Sequence, residues 1–136
     1  MIRRLDAAIA IACLAAGAVV AVPRHASFAR HNRAAEVSAL SLGAATAARL
    51  AHIRWLEAGE PPTIEGARGI VAMRNGYPSV ATLPLMLADS ETVAFAYDNG
   101  RWRHRDVADG NDCGVVYRTP VASGGSPVVE AETAGC

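Results

Sequence analysis

The sequence predicts an α+β protein, a long N-terminal helix, apolar stem plus amphipathic half, packed on a small antiparallel β-sheet. Residues Ala7–Val22 contain no charged or strongly polar side chain, and from Phe28 to Leu56 apolar residues recur at three- and four-residue steps. Beyond Gly59 that period gives way to short alternating runs separated by turn dipeptides. At 136 residues the chain holds one domain's worth of core. It divides into an apolar segment over 1–25, an amphipathic helix over 26–59 and a β head over 60–136.

The first segment is membrane-directed: Arg3-Arg4 precede the apolar run and Pro23-Arg24-His25 close it. A run of about 16 residues at 1.5 Å rise covers about 24 Å, short of the roughly 30 Å hydrocarbon layer, and alanine adds little transfer energy. Three readings remain open: a cleaved signal peptide, a permanent anchor, and an anchor that leaves the membrane to join a protein assembly. Arginine counting does not orient the segment, because Arg24, Arg30 and Arg33 outnumber Arg3 and Arg4. Gly17 and Pro23 weaken a helix by about 1 and 3 kcal/mol in ordinary contexts, which reads as a bendable joint or as a proline at a membrane exit.

In the second segment Phe28, Val37, Leu40, Ala44, Ala47 and Ala51 form one apolar arc, widened by Leu42, Ile53 and Leu56. Arg30, Arg33, Glu36 and Arg49 are its polar positions. Ala58-Gly59 followed by Pro61-Pro62 ends the helix.

In the head, Ile64–Met73 reverses over Gly66–Gly69, and Asn75-Gly76 marks a turn. Ser79–Ala88 reads as a short helix or a covering loop, limited by Pro84. Thr92–Tyr97 points Val93, Phe95 and Tyr97 inward, turns at Asp98-Asn99-Gly100 and returns as Arg101–Arg105 with Trp102 and His104 in phase. Two last runs, Val115–Thr119 and Val128–Thr133, lie between Cys113 and Cys136.

Those two cysteines sit in a polar, Gly-rich region, as a disulfide in an oxidising compartment would, and place the head outside the cytoplasm; the alternative is a pair of free thiols. Bonded, they close a loop that stabilises the fold by about 3 to 3.5 kcal/mol on chain-entropy grounds. Cys13 lies in the apolar run and reads as inert. Asp106, Asp109, Asn111 and Asp112 make an oxygen-rich loop of the kind a calcium site needs, but their spacing fits no EF-hand and a solvated loop is the simpler reading, so no metal is expected.

Thirteen basic and thirteen acidic residues cancel, which removes the electrostatic case for nucleic acid. Every cation is arginine. Without a lysine, Walker-A cradles, Schiff-base enzymes and kinase-type phosphate clamps are excluded. There is no G-x-S-x-G, H-E-x-x-H or C-x-x-C, and His25, His31, His52 and His104 lack ligand spacing. Neither an enzyme nor a cofactor is expected. Residues 1–57 hold seven arginines against Asp6, Glu36 and Glu57, net +4, and residues 58–136 are net −4. A basic segment of this kind faces anionic headgroups, the acidic heads of neighbouring copies, or simply solvent.

In order along the chain, the apolar segment, proline-arginine exit, long amphipathic helix, small sheet and cysteine-bracketed end resemble a type IV pilin or pseudopilin. The likeness is greatest to pilins of the mannose-sensitive haemagglutinin type. Ala21-Val22-Pro23-Arg24 resembles their A-L-P-R, Arg74-Asn75-Gly76-Tyr77-Pro78 their V-N-G-Y-P, and Asn111–Cys136 their cysteine-V-x-Y-loop-G-C ending. Aligning Pro23 with the family's proline puts Met1 at the glycine before the cleavage point, Ile2 at the usual phenylalanine and Asp6 at the usual glutamate. The chain departs from the family's G-F-T-L-I-E leader motif there, reading Met1-Ile2-Arg3-Arg4-Leu5-Asp6.

The resemblance implies a structural subunit for surface attachment or envelope secretion. It implies residence in the inner membrane with the head in the periplasm, then in an extracellular filament with copies of itself or other pilins. It also implies assembly roles for Asp6, whose carboxylate would neutralise a neighbour's α-ammonium, for the Gly17 and Pro23 joint, and for Phe28 and Leu40 in stem packing. The alternatives from other classes are a bitopic envelope protein and a secreted periplasmic β domain, each binding an unknown partner.

Overall fold

The computed structural model describes residues 26–136 with their side chains. The chain divides into two compact units, residues 1–32 and Arg33–Cys136. Helix α1 runs Ile2–Glu57. The calls on Asp6, Cys13, Gly17 and Pro23 lie outside the described residues. In the first unit, His31 donates through Nδ1 to the Ser27 carbonyl one turn back at 2.8 Å, and Phe28 is 64% exposed.

In the second unit, α1 ends where the sequence places its stop. The Glu60 amide donates to the Trp55 carbonyl at 2.9 Å and the Gly59 amide to Leu56 at 3.2 Å, a Schellman cap. Gly59 supplies the left-handed residue at φ 80°, and Pro61-Pro62 prevent resumption.

The β region is antiparallel throughout. Strands β1 (Thr63–Glu65), β2 (Ile70–Arg74) and β3 (Tyr77–Pro78) form a three-stranded sheet in that order. Strands β4 (Phe95–Asp98), β5 (Arg101–His104), β6 (Gly114–Arg118) and β7 (Val128–Glu132) form a four-stranded sheet, also in chain order. The single sheet expected from sequence is therefore two. Between them Leu83–Met86 forms a 3₁₀ turn and α2 (Asp89–Thr92) a single helical turn, so this stretch interrupts the pairing. Asn75-Gly76 and Asn99-Gly100 make the two tight hairpins, all four residues at positive φ, as the type I′ turn requires.

The core lies between α1 and the sheets. Val37, Leu40, Ala44, Ala47, Ala48 and Ala51 of α1 are buried, with Ile64, Val71, Leu83, Leu87, Phe95, Trp102, Val115 and Tyr117 beneath them. Four of the six helix positions are alanine, so bulk comes from the sheet side. Cys113 and Cys136 are bonded, closing 23 residues of separation with their Cα atoms 4.8 Å apart.

Two expectations about inward positions are corrected. Leu42, Ile53 and Leu56 do not widen the buried arc but are 71%, 52% and 50% exposed, since they project opposite to Val37 and Ala44. Val93 is not the first inward residue of a strand. It follows the α2 turn, stands 71% exposed, and leaves β4 to begin at Phe95.

Candidate assembly surface

From Arg33 to Glu57, α1 is apolar on two opposite faces. One is covered by the sheets. The other carries Ala35, Ala39, Leu42, Leu50, Ile53 and Leu56, and all six are exposed. Its hydroxyls are satisfied from within the helix: Ser38 donates to the Ala34 carbonyl at 2.9 Å and Thr46 to Leu42 at 2.8 Å. Such i−4 bonds remove the polar demand that normally keeps serine and threonine facing water. With both hydroxyls satisfied, the charge on this face is carried by Arg49 and Glu57, both exposed beside Ile53, and the stretch from Ala35 to Thr46 presents surface that meets another apolar face without leaving donors unpaired.

Which face points out is fixed by polar clasps between α1 and the head. Arg33 donates through Nε and Nη2 to the main-chain oxygen of Cys136, at 2.8 and 2.6 Å. His104 is buried in β5, and its Nε2 donates to Glu36 Oε2 at 2.6 Å. The Asp106 amide donates to its Nδ1 at 3.2 Å, which assigns the ring proton facing Glu36 to Nε2. Near the other end His52 donates through Nδ1 to the Gly76 carbonyl at 2.6 Å and stacks on Tyr77 with ring centroids 4.4 Å apart.

The motif segments noted in the sequence meet in these clasps. Gly76 holds φ 85°, and a Cβ there would stand 3.0 Å from both His52 and Trp55, so the turn is both left-handed and tightly covered. Asn75 donates to the Pro120 carbonyl at 2.7 Å. The Tyr117 hydroxyl donates to the Pro78 carbonyl at 2.7 Å, joining the four-stranded sheet to the three-stranded one. Burial pushes the Tyr117 phenol well above its ordinary pKa, and the neighbouring Tyr97 and Tyr77 push it the same way to a smaller extent. Tyr97 donates to the Val80 carbonyl, and its pKa is pushed up to about 12, chiefly by loss of solvation.

Of the expected assembly residues, Phe28 is exposed whereas Leu40 is 3% exposed and packed in the head core. Leu40 therefore acts on the fold of its own chain, and Leu42, two positions on, is the residue open to a neighbour. Sequence reading missed this second face because it merged Leu42, Ile53 and Leu56 with the first. The 3.6-residue period separates them: Leu42, Ile53 and Leu56 fall within one half-turn of the helix and Val37, Ala44 and Ala51 within the other.

Asp109 of the acidic loop pairs with Arg103 at 3.5 Å. Among the described residues no three His, Cys, Asp or Glu side chains are grouped to hold a metal ion, and no helix is long and apolar enough to cross a membrane. Compared with protein families, curated proteins and solved structures, the chain matches none.

Proposed function

We propose that the chain is a structural subunit, a pilin or pseudopilin, of a type IV pilus-like filament serving surface attachment or envelope secretion. The observation that carries this reading is the uncovered apolar face of α1, on a helix whose sequence also contains the apolar run Ala7–Val22. A helix apolar on two sides is suited to burial on both, one side by its own head and the other by copies of itself. Apolar burial contributes at about 25 cal/mol per Å², so a stripe of this kind repeated between many copies supplies cohesion without specific bonds.

In this proposal the segment 1–25 resides in the inner membrane with the disulfide-closed head in the periplasm, and is then extracted into an extracellular filament. The pilin-like character of the fold, a long helix laid on antiparallel strands with a cysteine-closed end, belongs to the same proposal. Asp6 neutralises a neighbour's α-ammonium there, because either charge buried alone is costly.

The test is the intact mass, with and without reductant, of native protein sheared from the host surface. A mass retaining residues 2–57, recovered in filaments, with a rise of about two daltons on reduction, is the expected result. A mass lacking about the first twenty residues, as signal-peptide removal would leave, or no protein in the sheared fraction, rejects the proposal. Asp6→Ala is expected to reduce filament yield while leaving the head folded, as read by circular dichroism. Normal yield removes that role from Asp6.

A further inference from the structure

Beside the outward face of α1, a groove of about 320 Å³ opens between the helix and the segment Ser90–Phe95. Ala39, Val93 and Ala94 contribute apolar surface, and Glu36 and Glu91 contribute carboxylates. Val93 is 71% exposed, although a valine at that position has the buried Phe95 two residues away. Glu36 gives one oxygen to His104 and Glu91 gives one to the Ala88 amide at 2.7 Å, which leaves each a second oxygen. Neither is paired with an arginine among the described residues. The groove thus asks for an apolar side chain accompanied by a cation.

The chain itself contains that combination. Phe28 is 64% exposed, and it is the sole aromatic among the large apolar side chains exposed in the described residues. In the sequence it is flanked by Arg24 and Arg30. Residues 1–57 are net +4 and residues 58–136 net −4, so the long-range field favours bringing the basic part of one copy to the head of another. A groove of this size lies at the lower end of those that hold small ligands, and it suits one phenyl ring with its flanking methyls. We infer that the groove between α1 and Ser90–Phe95 receives the Phe28 turn of a second copy, with Phe28 against Val93 and Ala39 and the arginines that flank it in sequence, Arg24 and Arg30, supplying the positive charge for Glu36 and Glu91. This rests on the filament reading and specifies its lateral contact.

The test is disulfide cross-linking of the full chain carrying Phe28→Cys and Val93→Cys in a Cys13→Ala background, oxidised both in the membrane and in sheared filaments. A dimer is expected, with Phe28→Cys plus Val121→Cys as the control pair that gives none, since Val121 is fully exposed and outside the groove. Glu91→Arg in the cross-linking chain is expected to lower dimer yield about fivefold, as loss of a surface pair of about 1 kcal/mol would, and Arg24→Glu in the same chain to restore it.

Filaments that form without the cross-link, equal yields from the control pair, or a Val93→Cys adduct to a different protein each overturn the inference while leaving the filament reading intact. Absence of wild-type filaments rejects the filament reading. In that case the membrane arm still decides whether two copies meet at the groove.

Discussion

Tyr117 reaches from β6 of one sheet to a carbonyl in β3 of the other, and its value depends on staying neutral. Both Tyr117 and Tyr97 hold their protons more tightly folded than unfolded, because burial penalises the phenolate. The sign follows from linkage: stability is full below the unfolded value near 10 and falls as pH rises through about 12 for Tyr97. Thermal melts from pH 8 upward are expected to be flat to about pH 10 and then to fall, with phenolate absorbance rising in step. A melt that is flat through pH 12 rejects the assignment. Tyr117→Phe removes the hydrogen bond and leaves the Pro78 carbonyl unpaired, so a loss of about 1 to 2 kcal/mol is expected by chemical denaturation. Residues of this kind were visible in the sequence as motif letters but not as partners. Arg74–Pro78 and Cys113–Tyr117 are 35 or more residues apart, and only the folded sheets put Tyr117 onto Pro78.

At the scale of elements, α1 was the most legible part of the sequence at its end and the least legible in its faces. The Gly59 cap and the Pro61-Pro62 stop are local, backbone-determined signals, and the helix ends there. The outward stripe is not local, because apolar residues on both sides of a helix average out any single direction. The Asn75-Gly76 and Asn99-Gly100 hairpins were legible for the same reason as the cap, while Val93 was misplaced because the α2 turn delays the strand. The two faces separate by mutation. Leu40→Ala, in the core, is expected to cost about 2 to 5 kcal/mol of folding stability. Leu42→Asp and Ile53→Asp are expected to change stability by no more than about 0.5 kcal/mol, as exposed positions do. In the proposed filament the same two changes sharply reduce assembled protein in the sheared fraction. Wild-type yield from the Leu42→Asp, Ile53→Asp double variant counts against the uncovered face as an assembly surface.

For the molecule as a whole, the disulfide and the Arg33 clasp converge on one residue. Cys136 is bonded through sulfur to Cys113 and receives both Arg33 donors on its main-chain oxygen, so this one residue ties the start of β6 to α1. Cys113→Ser with Cys136→Ser is expected to lower stability by about 3 kcal/mol on loop-closure grounds, plus the looser hold on Arg33. A denaturation midpoint unchanged by reductant rejects that coupling. The cysteine spacing made the bond a fair expectation, but nothing in the sequence marks Arg33 as its companion across 103 residues.

The hydroxyls of Ser38 and Thr46 are each held by a carbonyl of their own helix, which leaves the outward face of α1 from Ala35 to Thr46 with contour and no donors to offer, and Arg49 as the guanidinium beyond it. Between two such faces, a displacement by one helical turn exchanges one set of methyl contacts for a similar set. In the proposed filament, copies joined through that stretch alone would glide along the axis under load and re-seat when it is released, and Arg49 would decide where they stop.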